Sequence, residues 1–195
     1  MTSSAPATEL TGGVALLERA TGYVLGCLPL VTPDRLANRT PCRGWDMRAL
    51  LRHLDDSLLA LHGAVSAGRV DLEPAEEAGP AANPVTTVRN RARQMIGAWA
   101  GTDGPSRVWI ADRPLCSEVV AAAGAVEVAV HGWDVSRACG QDRPVPPALA
   151  EELLDLSRLL VGEADRPGRF AARVDLGPGY SSPSDRLVAF LGRCP

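Results

Sequence analysis

One helix constrains this chain more than any other stretch. Ser117 to Cys139 reads as a single helical run, and Gly140 follows it as a suitable C′ stop. The run carries the phrase Glu127-Val128-Ala129-Val130-His131-Gly132-Trp133-Asp134. Residues four apart on a helix share a face, one turn above each other. Glu127 and His131 can therefore point at one object, and Asp134, three residues further on, leans the same way. A carboxylate and an imidazole one turn apart can both bind a transition metal, and helical pairs of this spacing occur in zinc sites. Two ligands do not make a site, so a facing element has to supply a third.

The rest of the chain supplies helices for that purpose. Leu10 to Val31 reads as a first helix, with Val14, Leu17, Val24 and Leu28 among its apolar positions, kinked or ended by Pro29. A loop carries the phrase Thr40-Pro41-Cys42-Arg43-Gly44-Trp45-Asp46, and Asp46 is suited to cap a second helix. There Met47, Leu50, Leu51, Leu54, Leu58, Leu61 and Val65 recur at helical spacing. His53 flanks that stripe, where a cleft ligand belongs; His62 has no evident partner. Gly68 to Pro84 reads as a surface loop, Val85 to Ala100 as a third helix, and Arg107 to Ala111 as a briefly extended strip. A fifth helix follows Pro146-Pro147 at about Ala148 to Val161, and Arg186 to Leu191 reads as a short closing helix.

These elements predict an all-α fold, an up-down four-helix bundle with an extra helix and a short C-terminal tail. Residues 1–8 are expected to be a disordered tail before one domain, 9–195. Bundle sites are built from side chains on facing helices, which is how His53 would meet Glu127 and His131.

Composition narrows the function. Net charge is −3 and no Lys/Arg block stands out, which argues against a nucleic-acid partner. No apolar stretch is long enough to span a bilayer, and Met1 to Glu9 lacks the pattern of an export signal. The five cysteines are scattered without CxxC spacing, against a disulfide framework or a thiolate zinc finger. A cytoplasmic protein acting on a small molecule is the expectation, with pairing into a homodimer through exposed helical faces.

Spacing alone leaves two readings. In one, His53, Glu127 and His131 hold a metal with an open fourth position, and Asp134 fixes an imidazole tautomer. In the other, which is commoner for an i,i+4 pair, Glu127 and His131 merely hydrogen-bond and His53 is a flank residue. Trp45 and Trp133 read as packed aromatics, Asp46 as a cap, and Cys42 as a small buried residue. Arg43, Arg137 and Arg186 are arginines able to hold a substrate carboxylate, although surface ion pairs are the usual case.

The wording of the sequence goes beyond its spacing. Thr40-Pro41-Cys42-Arg43-Gly44-Trp45-Asp46-Met47-Arg48-Ala49-Leu50-Leu51-Arg52-His53-Leu54 resembles the first signature of an actinobacterial metal-binding family. That family is related to the N-terminal domain of mycothiol-dependent maleylpyruvate isomerase. The stretch Glu127 to Gly140 resembles its second signature, and Ser184 to Arg193 is similar to its usual close. The resemblance implies a DinB/YfiT-like helical bundle with a divalent metal on His53, Glu127 and His131. Zinc is the foremost candidate, with nickel, iron or manganese also compatible with such ligands.

The resemblance further implies a metal-dependent enzyme that uses a low-molecular-weight thiol, mycothiol-like, as an S-transferase or thiol-dependent isomerase. Asp134 would orient His131, and Arg137 would pair with an acidic group of the substrate. The isomerase has a further C-terminal domain contributing to its active site, whereas this sequence continues past the bundle only as a short tail. Maleylpyruvate isomerisation itself is therefore not the expected reaction. Two alternatives share the same ligands: a thiol-independent metal hydrolase or cyclase, and a non-catalytic metal- or ligand-binding protein.

Overall fold

The computed structural model describes residues 12–70, 83–101, 104–166, 170–177, 179 and 182–195. The expected tail, 1–8, and most of the expected loop between the second and third helices lie outside them. Among the described residues there are six α-helices: α1 (Gly13–Cys27), α2 (Met47–Ser66), α3 (Pro84–Trp99), α4 (Ser117–Ala138), α5 (Pro147–Leu160) and α6 (Pro183–Phe190). Three short strands, β1 (Arg69–Val70), β2 (Arg107–Ile110) and β3 (Arg113–Cys116), form a small sheet in that order.

Local chemistry sets most helix ends. The Asp46 carboxylate accepts the Ala49 N–H at 2.8 Å and caps α2. Asn83 caps α3 in the same way, with Pro84 as the first helical residue, and Ser182 caps α6. Gly140 follows α4 with φ 68°, the left-handed stop its position suggests. α1 is shorter than the reading of Leu10 to Val31. It gives way at Leu28–Leu30 to a 3-10 turn around Pro29, which has no N–H to continue the ladder.

α4 is the hub. Residues on nearly its whole circumference are buried, from Val120 to Ser136. It can be enclosed this closely because small residues let its neighbours in. A Cβ on Gly132 would lie 3.0 Å from the Tyr23 ring and 3.3 Å from the Val24 Cα of α1. One on Gly124 would lie 2.5 Å from a Leu61 methyl of α2.

Side-chain contacts give the helix directions. Glu118 in the first turn of α4 accepts the Gly13 N–H at 2.6 Å, and Tyr23 meets Gly132 near the other ends, so α1 and α4 run the same way. Leu61 meets Gly124 while His53 meets Glu127, so α2 is antiparallel to α4. Asp55 pairs with Arg91, and the Leu61 carbonyl accepts from the Trp99 indole, so α2 and α3 are parallel. The expected helical bundle is present, but its sense is up, down, down, up and not the alternating up-down order expected. The long connection from Ala67 to Asn83 permits two successive helices to point the same way.

The core runs through Leu17, Leu50, Leu51, Leu54, Leu58, Met95, Leu149, Leu153 and Leu187, all nearly or wholly shielded from solvent. Each such leucine contributes about 1.5–3 kcal/mol of burial. The strip at Arg107 to Ala111 is extended as expected, but as part of a sheet. β2 pairs in parallel with β1 and antiparallel with β3, with Ile110 opposite Arg113. β1 replaces the start of the expected Gly68 to Pro84 loop, because two residues are too few to show a period-2 pattern.

Candidate metal centre

The site is assembled where the first turns of α2 face the C-terminal half of α4. His53 lies two turns into α2, behind the Asp46 cap. Glu127 and His131 lie one turn apart on α4. In the structure, His53 Nε2 is 2.6 Å from Glu127 Oε1, and His131 Nε2 is 3.0 Å from the same oxygen. Ser57, one turn after His53 on α2, donates its hydroxyl to that oxygen at 3.3 Å. The two imidazoles meet edge to face, ring centres 4.9 Å apart.

Behind His131 is a second layer. Its Nδ1 lies 3.0 Å from Asp134 Oδ2. Asp134 also accepts from the Cys42 thiol at 3.1 Å and from the Arg193 guanidinium at 3.0 Å. Exposure grades across the cluster. The Asp134 and His131 side chains are 0% and 6% exposed, whereas Glu127 and His53 are 36% and 38% exposed. Any incoming group therefore approaches from the Glu127 and His53 side.

A turn brings the Cys42 to Trp45 stretch over the cluster. The Trp45 N–H donates to the Cys42 carbonyl, and Gly44 holds φ 84°, the third position of a type II turn. The turn brings the Cys42 thiol to Asp134 and sets the Trp45 ring against His53, centres 4.7 Å apart. Cys42 is half-buried: it packs against the edge of the core and at the same time meets this acid. Trp133 is buried in the core, and Trp45 packs on a site residue.

The electrostatics follow from this packing. Burial opposes ionisation of Glu127, but the charge of His131 and hydrogen bonds from both imidazoles outweigh it, and the carboxyl sits well below its usual range. Burial likewise opposes charge on His131. The Glu127 charge and the bonds to Asp134, Cys42 and Glu127 overcome it and hold the imidazole well above its usual value. Asp134, raised by burial, is brought down on balance by its hydrogen bond to His131 and by the charge of Arg193.

Two ring nitrogens converging on one carboxylate oxygen must each present an N–H to it unless a cation lies between, since an imidazole lone pair facing that oxygen would be repelled. The same arrangement suits a divalent cation. Nitrogen and oxygen ligands about 2.0–2.1 Å from tetrahedral zinc stand ~3.3 Å apart. The ligand atoms of His53, Glu127 and His131 lie within 4.8 Å of one another, so each needs to move by about an ångström or less. With Asp134 behind Nδ1, Nε2 of His131 is the nitrogen that faces the cluster and could ligate a cation. A second set, Cys42, His131 and Asp134, is equally compact. There the Arg193 guanidinium, 3.5 Å from the Cys42 sulfur and 3.0 Å from Asp134, opposes a cation.

Of the residues singled out in the sequence, His53, Glu127, His131 and Asp134 come together and Arg137 does not. Six residues after His131, Arg137 is about 240° further round the helix. Its guanidinium lies over the Trp133 ring and 3.9 Å from Asp142. Arg43 is exposed in its turn, and Arg186 pairs with Glu151. The arginine at the cluster is Arg193, which no spacing argument reaches; it lies within the closing phrase of the family resemblance. Ser57 had a readable signal, its i,i+4 relation to His53.

A helical bundle of this shape with inward-facing imidazoles and a carboxylate defines a class, the DinB-like helical proteins. Within that class, the family model of the mycothiol maleylpyruvate isomerase N-terminal domain matches residues 17–136, and the chain belongs to that family. Two uncharacterized proteins of Mycobacterium tuberculosis, from strains H37Rv and CDC 1551, are each 30% identical over 183 residues. Each match covers 90% of this chain and 94% of the relative. No solved structure matches the chain.

Proposed function

We propose that the protein is a divalent-metal-dependent enzyme that uses a low-molecular-weight, mycothiol-like thiol on a small electrophile, as an S-transferase or thiol-dependent isomerase. The observation that carries the metal is the convergence of His53 Nε2 and His131 Nε2 on Glu127 Oε1, backed by Asp134. The thiol is supported by the family, whose description names mycothiol. Two imidazoles and one carboxylate with a remaining open position match the ligand set of catalytic zinc.

When bound, the metal would supply a Lewis acid that lowers the pKa of a thiol in the open position. His53, Glu127 and His131 hold it. Asp134 keeps the Nδ1 proton on His131, so that Nε2 faces the cluster. Ser57 donates to Glu127 Oε1 and fixes the carboxylate rotamer. Trp45 covers one face of His53 and limits water on that side. The half-exposed side at Glu127 and His53 admits the small molecules. The substrate-pairing role expected of Arg137 forms no part of this proposal, given where its guanidinium lies.

Elemental analysis tests the metal. Wild-type protein incubated with zinc should hold about one equivalent, and His53→Ala and Glu127→Ala should lose it. Full retention in both variants would remove these residues as ligands. Calorimetry of mycothiol against the zinc-loaded protein tests the thiol. Saturable binding absent from the chelated protein is expected, and no binding together with no turnover of electrophiles would sink the thiol reading. Turnover indifferent to added thiol would instead favour a water in the open position, as in a metal-dependent hydrolase or cyclase.

A further inference from the structure

Arg193 lies outside the bundle's helices, one turn beyond α6, yet its side chain ends at the deepest layer of the metal centre. Its Nε donates to Asp134 Oδ1 at 3.4 Å and its terminal nitrogen to Oδ2 at 3.0 Å, so the guanidinium grips both carboxylate oxygens. The same nitrogen lies 3.5 Å from the Cys42 sulfur. The backbone is built to deliver it. The Arg193 N–H donates to the Val188 carbonyl, and Gly192 turns the chain at φ 83° with no room for a Cβ against Ala171. The other terminal nitrogen of Arg193 donates to the Leu191 carbonyl at 3.0 Å, which fixes the fork.

We propose that Arg193 is a positioning residue for the metal centre, acting through Asp134 on His131. The proposal rests on the reading of His53, Glu127 and His131 as metal ligands. A carboxylate can spin about its last bond, and Asp134, wholly buried on α4, has no solvent to hold it. Only with its plane fixed does Oδ2 stay 3.0 Å from His131 Nδ1. A two-point arginine contact fixes that plane in a way a single donor cannot. Through the Cys42 thiol the same guanidinium also steadies the turn that sets Trp45 on His53. One side chain from the C-terminal segment thus braces the ligands of α2 and α4 from behind.

The test uses the full-length protein with Arg193→Gln, Arg193→Lys, Asp134→Asn and the double variant of Asp134→Asn with Arg193→Gln. Zinc affinity is measured at fixed pH by competition with a chromophoric chelator. The His131 Nδ1–H hydrogen bond to Asp134 is read from the Nδ1–H proton and nitrogen chemical shifts of the zinc-loaded protein, and melting is followed alongside. Partners behind a metal-bound histidine typically govern affinity by about 10–100-fold. Arg193→Gln should therefore bind zinc about tenfold more weakly or worse, and in its zinc-loaded form the His131 Nδ1–H resonance should move upfield as its hydrogen bond to Asp134 loosens. Arg193→Lys, which keeps charge and one donor, should recover part of the affinity. The double variant should bind no more weakly than Asp134→Asn alone.

Unchanged affinity and Nδ1–H shift in Arg193→Gln overturn the proposal, as does a lowered melting temperature with affinity intact. Additive losses in the double variant overturn the route through Asp134. Should Arg193→Gln fail to fold, Arg193→Lys decides, since wild-type affinity and Nδ1–H shift there would show that two-point contact is not needed. Wild-type protein that binds no zinc overturns the reading of the site, and this inference with it. Wild-type binding with an indifferent Arg193 overturns this inference alone.

Discussion

His131 lies between two carboxylates that hold its imidazole well above the usual value, and this gives the metal-free protein a particular pH response. Its folded pKa is raised, so its contribution to stability is full below the unfolded value near 6.5 and is lost as pH rises through the folded one. Glu127 and Asp134 are depressed, so theirs is full above ordinary carboxylate values and lost as pH falls through the folded ones. Chelated protein should therefore melt at lower temperature on the alkaline side of neutrality as well as in acid. A melting temperature flat from pH 6.5 to 9.5 would mean that the folded protein does not hold an extra proton on His131. Zinc competes with that proton, so its apparent affinity should climb with pH by up to about tenfold per unit while His131 remains protonated. Chelator competition across this range measures the slope, and a flat slope would mean that His131 Nε2 is not displaced.

Between α1 and α4 the decisive element-scale feature is absence of side chain. Gly132 follows His131 directly and has α1 backbone 3.3 Å from where its Cβ would be. Gly132→Val must push the helices apart or strain the valine, at a cost of about 1–3 kcal/mol. Denaturant melts measure this, and a neutral result would mean that α1 does not press on α4 there. Asp46→Ala removes the α2 cap and should cost about 1 kcal/mol, loosening the turn of helix that leads to His53. The β2–β3 turn offers a change in the opposite direction. Ala111 sits at φ 52°, a left-handed conformation costing about 1–2 kcal/mol for a residue with a Cβ. Ala111→Gly should stabilise the protein by about 0.5–1 kcal/mol after glycine's own entropic penalty.

At the scale of the whole molecule, zinc should stabilise the fold because its ligands are brought together only in the folded chain. One hundred-fold excess over the dissociation constant corresponds to about 2.7 kcal/mol, and this gain should be absent from Glu127→Ala. Among the described residues no helix is long and apolar enough to cross a membrane, so α4, for all its apolar character, is a core helix. Its small residues are what make that possible, as they allow α1 and α2 to enclose it.

Much of this was legible in the sequence. The leucine stripe of α2, the Asp46 cap, the Gly140 stop and the i,i+4 relation of Glu127 to His131 are local facts, decided within a turn or two of chain. The phrases around His53 and Glu127 pointed to the family, and the family model matches the chain. What only the tertiary structure decided is what depends on groups distant in sequence. The two-residue strand β1 exists because β2 lies beside it. The parallel course of α2 and α3 depends on how they pack. Arg137, the nearer arginine in sequence, is carried to the far side of α4 by the helical pitch. Arg193, far along the chain, is folded back onto Asp134. Helix periodicity fixes which face a residue occupies, but the charge that neutralises a buried carboxylate is chosen by whichever segment packs against it.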